Sequence, residues 1–144
     1  MRTKEVVSSD GDRTVYIYND AGLQLRTTDY DANGNVVFDI HYKINPLEQF
    51  VGWKVFDANG SVVKRFEVDY DTLGLEIERR QYGSDDKLER RVKYLYDDDN
   101  ELIEEHHIDP AGQLRSKKVY TSRGDEIIEN YYDVQGNPID GPAV

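Results

Sequence analysis

The sequence predicts an all-β protein, an antiparallel up-and-down meander of about ten strands joined by Asp-x-x-Gly turns. Three observations predict this fold class: turn signals recur along almost the whole chain, an aromatic residue precedes most of them, and their spacing is even. Eight to ten residues remain between turns, which suits one β-strand and is too short for a typical helix. Such a sheet would be a curled single layer or barrel-like.

Each turn signal has one physical explanation. Asp at the first position of a type I turn accepts backbone hydrogen bonds, and Gly at the fourth position adopts positive φ and forms the bulge that closes a short hairpin. The predicted turns are, in order, Asn19–Gly22, Asp31–Gly34, Asn45-Pro46, Asp57–Gly60, Asp71–Gly74, Gly83–Asp86, Asp97–Asn100, Asp109–Gly112, Ser122–Asp125 and Asp133–Gly136.

The strands between the turns follow from the residues that precede each turn. Intervals between these residues are 12 or 14, always even, so side chains two apart share one face of their strand. The residues are Tyr18, Tyr30, Lys43 or Tyr42 (the intervals take Tyr42), Phe56, Tyr70, Tyr82, Tyr96, Ile108, Tyr120 and Tyr132.

Charge predicts which strands are neighbours. Segments 87–93 and 113–118 are basic, whereas segments 101–105 and 125–129 are acidic. Opposite charges across a strand pair stabilise it by roughly 0.2–1 kcal/mol, so the alternation favours a sequential order. The chain of 144 residues then forms a single β-repeat domain, with repeats over about 14–138 and irregular termini at 1–12 and 139–144.

Composition excludes several function classes. The chain has 18 Lys and Arg against 29 Asp and Glu, a formal net charge of −11, and no cysteine. The absence of cysteine excludes disulfides and thiol chemistry, and the acidity argues against nucleic acid as a partner. The sequence has no apolar stretch long enough to span a membrane and no signal-peptide pattern, so we expect a cytoplasmic protein without a membrane partner.

No catalytic, metal or cofactor site is predicted. Hydrolase and phosphate-binding motifs are absent. His106 and His107 are adjacent on a strand, so they face opposite sides and cannot readily share a metal ion. The acidic run 97–101 lacks the spacing of an EF-hand loop, which leaves calcium binding by acidic turns an open alternative.

Two features predict a protein-binding surface. Much of the acidic excess lies in the turns, and a negative surface steers a basic partner toward the protein. The single tryptophan, Trp53, is either a sheet-face aromatic or an anchor that contacts a partner. The predicted contact residues are Asp97, Asp98, Asp99, Glu104, Glu105 and Trp53.

Four segments resemble the YD repeats of bacterial Rhs proteins: Tyr30–Val36, Phe56–Val62, Tyr70–Glu76 and Tyr132–Pro138. The hairpin array is also similar to the MORN-like repeats of small bacterial antitoxins. The segment Gly52–Gly60 has a third, weaker similarity to cell-wall-binding repeats, although it occurs once and tryptophan is scarce.

Together these features predict a non-enzymatic protein-binding β-repeat protein, a bacterial immunity protein or antitoxin that neutralises a basic toxin such as a nuclease. The resemblance to YD repeats implies an alternative, a structural repeat module of a larger surface or shell assembly. A homodimer formed through a sheet face or edge is a further alternative.

Overall fold

The computed structural model describes residues 1–143, which form twelve β-strands. Among these residues there is no helix that could cross a membrane. The strands are β1 (Arg2–Val7), β2 (Arg13–Tyr18), β3 (Gln24–Tyr30), β4 (Val36–Ile44), β5 (Phe50–Phe56), β6 (Val62–Tyr70), β7 (Glu76–Gly83), β8 (Leu88–Tyr96), β9 (Leu102–Ile108), β10 (Leu114–Arg123), β11 (Glu126–Asp133) and β12 (Pro138–Ile139).

The strands form one antiparallel sheet in which neighbours follow the order of the chain from β1 to β12. The predicted meander is therefore confirmed. β1 and β12 are the two ends of this order, so the sheet is open and the barrel-like alternative was wrong.

The sheet has more strands than the ten predicted because residues 2–7, expected to be irregular, form β1. A turn of the recurring type makes this possible. The Gly11 N–H donates to the Ser8 carbonyl at 3.1 Å, and Gly11 has a φ of 91°. The short β12 adds the twelfth strand by pairing Pro138 and Ile139 with the end of β11.

The turns have the predicted chemistry, as Asp31 illustrates. Its Oδ1 accepts hydrogen bonds of 2.9 Å from the backbone N–H groups of Asn33 and Asn35. The Gly34 N–H donates to the Asp31 carbonyl at 3.0 Å, and Gly34 has a φ of 82°. The structure confirms the assignment of Asp to the first position and Gly to the fourth.

The turn between β10 and β11 differs from its prediction. Arg123 pairs with Glu126, so the turn contains Gly124 and Asp125 alone and does not span Ser122–Asp125. Gly124 has a φ of 63°. Glycine with positive φ at the first central position alone is typical of the type II′ two-residue hairpin, and this explains the tighter turn.

The hydrophobic core is very small. Among residues 1–143, Val68 and Val92 are the buried apolar side chains, with 4% and 7% of their surface exposed. Most other large apolar side chains of these residues are half-buried.

The described residues divide into two compact units. Unit 1 comprises Met1–Glu67 with Tyr82–Lys87, and unit 2 comprises Val68–Gln81 with the residues from Leu88 onward. Unit 1 contains all of β1 to β5, and unit 2 contains all of β8 to β12. The single domain expected from chain length stays a prediction.

Candidate functional site

The β8–β9 hairpin carries five of the six predicted contact residues. Residues 97–105 contain six carboxylates and no lysine or arginine. The turn spans Asp97–Asn100, and β9 begins at Leu102. The structure assigns different roles to the carboxylates within this short segment.

Asp97 holds the turn together. Its Oδ1 accepts hydrogen bonds of 2.9 Å from the backbone N–H groups of Asp99 and Glu101. The Asn100 N–H donates to the Asp97 carbonyl at 3.0 Å, and Asn100 has a φ of 62°. One carboxylate oxygen of Asp97 is thus committed to the backbone of its own hairpin.

Asp98 and Asp99 lie together at the exposed tip of the same hairpin. Glu101, which sequence analysis did not select, is exposed directly after the turn. Among residues 1–143 no lysine, arginine or histidine lies within ion-pair distance of these three carboxylates. The tip therefore presents negative charge that the described part of the chain does not neutralise.

Glu104 and Glu105 are separated because adjacent residues of a strand face opposite sides of the sheet. Glu104 Oε2 lies 2.7 Å from His106 Nε2, and Glu104 Oε1 lies 3.9 Å from Lys117 Nζ. The predicted cluster is therefore not one surface: Glu104 belongs to one face and Glu105 to the other.

Glu105 belongs to a dense network of polar side chains. His107 Nε2 lies 3.5 Å from its carboxylate, and the Tyr120 hydroxyl donates a hydrogen bond of 2.7 Å to Oε1. Lys118 lies directly opposite on β10. Interaction with His107, followed by the hydrogen bond from Tyr120 and the charge of Lys118, lowers the pKa of Glu105 despite burial.

The same network explains the raised pKa values of two tyrosine hydroxyl groups. Burial, reinforced by nearby carboxylates, raises the pKa of Tyr94 to about 12. Burial and the hydrogen bond to Glu105 raise the pKa of Tyr120 to about 12. These hydroxyl groups therefore remain protonated donors over the ordinary pH range.

His107 and Ser116 are the buried polar residues beside this network. They are directly opposite each other, with 7% and 0% of their surface exposed. The Ser116 hydroxyl accepts from the Ala143 N–H at 2.9 Å and donates to the Ala143 carbonyl at 3.1 Å. The segment after β12 is thereby fixed to β10.

Trp53 lies in unit 1, in a row of directly opposed aromatic side chains. Tyr42 faces Trp53 across β4 and β5, and Trp53 faces Phe66 across β5 and β6. The Trp53 and Phe66 rings stack with centroids 4.8 Å apart. The indole is half-buried and already packed, so Trp53 contributes to the sheet face whatever else it contacts.

The histidine pair is arranged as predicted. His106 turns toward Glu104 on one face and His107 toward Glu105 on the other. In the described part of the chain, no group of three or more His, Asp or Glu side chains is positioned to hold a metal ion.

No family model and no curated protein matches this chain. Among solved structures, its fold is similar to that of a porin-like protein from Bacteroides uniformis, with a TM-score of 0.55 and 14% identity over 91% of this chain. A TcdB2-TccC3-TEV chain matches 92% of it with a TM-score of 0.32 and 15% identity. A Photorhabdus luminescens Tc holotoxin pore matches 88% with a TM-score of 0.33 and 15% identity.

This chain spans 54% of the porin-like chain and 10% and 9% of the two toxin chains. At these identities the likeness to the porin-like protein concerns the fold alone.

Proposed function

We propose that this β-repeat protein binds another protein without enzymatic activity, as a bacterial immunity protein or antitoxin that covers a basic toxin such as a nuclease. The observation that carries the proposal is the hairpin tip, where Asp98, Asp99 and Glu101 are exposed without a cation partner in the described chain. The net charge of −11 supports the same choice of partner.

The tip is the best contact surface because binding there breaks no internal bond. A partner lysine or arginine can pair with Asp98 or Asp99 directly. Pairing with Glu105 would instead compete with the Tyr120 hydroxyl and with His107. Glu104 is shared in the same way between His106 and Lys117. The acidic part of the contact set predicted from sequence is therefore narrowed to Asp98 and Asp99, with Glu101 added.

Exposed carboxylates of this kind act mainly on the association rate. Charges at the rim of an interface steer the encounter, and their effect weakens as salt screens it. Trp53 is the proposed apolar anchor, although its ring is already stacked on Phe66. The partner is a protein, neither nucleic acid nor membrane, and we place the encounter in the cytoplasm.

The test needs the toxin, identified by affinity capture from the native host. Association of the purified toxin is then measured at low and high salt. We expect Asp98→Asn with Asp99→Asn to slow association several-fold at low salt and to flatten its salt dependence. Asp125→Asn, which changes an exposed carboxylate of another turn, is the control. Unchanged kinetics with Asp98→Lys and Asp99→Lys would reject the proposal.

A second function, a YD-type module of a larger surface or shell assembly, is favoured by the open sheet. All six residues of β1 are exposed, including Val6 and Val7 at 47% and 62%. Strand edges of this kind pair readily with other strands. We expect this candidate to self-associate in sedimentation velocity, and Val6→Lys to suppress the association. A monomer at all accessible concentrations would reject it.

A further inference from the structure

A row of nitrogen-bearing side chains crosses three strands of unit 2. Lys93 on β8 lies directly opposite His106 on β9, and His106 lies directly opposite Lys117 on β10. Neighbouring strands are about 4.8 Å apart, so the backbone positions of the two lysines are about 10 Å apart. The alternating charge of the segments predicts opposite charges across strand pairs, and the β8–β9 register does not provide this at Lys93.

Carboxylates neutralise this row incompletely. Glu104 contacts His106 at 2.7 Å and approaches Lys117 only to 3.9 Å. Lys93 is exposed, and no carboxylate of residues 1–143 lies within ion-pair distance of it.

Arg91 lies two residues before Lys93, on the same face of β8. Its Nε is buried without a hydrogen bond, and its nearest carboxylate, Glu78, is 3.4 Å away. This face thus carries three permanent positive charges, on Arg91, Lys93 and Lys117. The two carboxylates near them are those of Glu78 and Glu104. On a chain with a net charge of −11, this is a local excess of positive charge.

The same arrangement recurs in unit 1. Arg26, His41 and Lys54 are directly opposed on β3, β4 and β5. The carboxylate of Asp39, two residues before the histidine, lies 3.0 Å from His41 Nε2, as Glu104 does for His106. Lys54 is exposed, and it lies opposite another cation, Arg65. Asp39 also pairs with Arg26 through two hydrogen bonds of 2.9 and 2.7 Å, so Lys54 is the cation of this second row without a carboxylate partner among the described residues. Because like charges across a strand pair are unfavourable, the less completely neutralised row on β8, β9 and β10 is the better candidate for an anion site.

We propose that the row Lys93–His106–Lys117 is a binding site for a phosphate group, free or carried by a small molecule. A phosphate offers several acceptor oxygens to donors on either side. Long lysine side chains can converge on one anion above His106, which Glu104 holds in place. The site is independent of the acidic tip and of the proposed function.

The site is tested with the full-length protein, inorganic phosphate and a phosphomonoester, glycerol 3-phosphate, at constant ionic strength set with sodium chloride. Amide chemical shifts are followed by NMR during each titration. We expect saturable shifts centred on Lys93, His106 and Lys117. Tighter binding of glycerol 3-phosphate would assign the site to phosphorylated small molecules, and tighter binding of inorganic phosphate to the free ion.

The variants Lys93→Gln and Lys117→Gln should weaken phosphate binding at least tenfold, whereas Lys93→Arg should retain it. Lys4→Gln is the matched control, because Lys4 is an exposed strand lysine that faces Tyr16. Melting temperatures without phosphate should not fall in Lys93→Gln, because no ion pair is lost. Non-saturable shifts, chloride acting as well as phosphate, or equal losses with Lys4→Gln would overturn the proposal.

Discussion

Tyr120 on β10 donates a hydrogen bond of 2.7 Å to Glu105 Oε1 on β9. With His107 and Lys118, it holds the pKa of Glu105 below its ordinary value. A carboxyl group whose pKa is lowered by folding stabilises the fold above its unfolded pKa. That contribution is lost as the pH falls through its folded pKa, so Glu105 stabilises the protein at neutral pH and not in strong acid.

Replacing Tyr120 with Phe should therefore destabilise the protein in a pH-dependent way. We expect the pKa of Glu105 to rise and the free energy of unfolding to fall by about 1 kcal/mol at pH 7, with a smaller loss near pH 3. Urea denaturation at both pH values measures this. Tyr132→Phe is the control, because no hydrogen bond of the Tyr132 hydroxyl is seen in residues 1–143. An equal loss at both pH values would contradict the linkage.

Gly52→Ala should destabilise unit 1 for a steric reason. A Cβ at this buried position would lie 2.8 Å from the Phe66 carbonyl oxygen on the neighbouring strand. Backbone atoms cannot move aside cheaply, so we expect a loss of about 1–3 kcal/mol in the free energy of unfolding. Gly141→Ala, where nothing lies within 4 Å, should leave the urea midpoint unchanged. Equal midpoints for both variants would show that the strands separate freely at Gly52.

Neighbouring aspartates of the β8–β9 turn should respond differently to substitution. Asp97→Ala removes the acceptor of two backbone hydrogen bonds and should cost about 1–2 kcal/mol of stability. Asp98→Ala should change stability by less than about 0.5 kcal/mol, because the side chain is exposed without an internal bond. Thermal unfolding of the two variants compares them. A destabilised Asp98→Ala would mean that the tip is needed for the fold.

Glu48→Gly should stabilise the β4–β5 turn. Glu48 occupies the fourth position of this turn with a φ of 62°, a conformation that glycine adopts without the steric cost of a Cβ. We expect the melting temperature to rise by a few degrees, equivalent to about 0.5–1 kcal/mol. Leu47→Gly is the control and should lower it. A lower melting temperature for Glu48→Gly would show that its side chain stabilises the turn.

Local chemistry explains why the meander was predictable from sequence. An Asp such as Asp31 and the Gly three residues later encode a complete turn, so strand order follows from turn spacing. β1 was missed because Ser8, not Asp, begins its turn. The β10–β11 turn was misplaced because Gly124 stands at the first central position of a two-residue hairpin.

The candidate site was less predictable because it depends on register. Glu104 and Glu105 looked like one acidic group in the sequence, but strand alternation sends them to opposite faces. Their partners, Lys117 and Tyr120, come from the next strand, so they depend on which residues face each other. The Lys93–His106–Lys117 row is likewise a product of register, which charge patterns alone did not specify.

With Val68 and Val92 as its buried apolar residues, this sheet has almost no shared interior to unfold as one unit. The cooperativity of its unfolding must therefore depend on contacts between neighbouring strands, as in a one-dimensional chain of coupled elements. We expect amide hydrogen exchange to be fastest at β1, which has one neighbour, and to slow over the next strands inward. A destabilising mutation in one hairpin should then speed amide exchange in that hairpin and in the strands beside it. Distant strands should keep their protection from exchange.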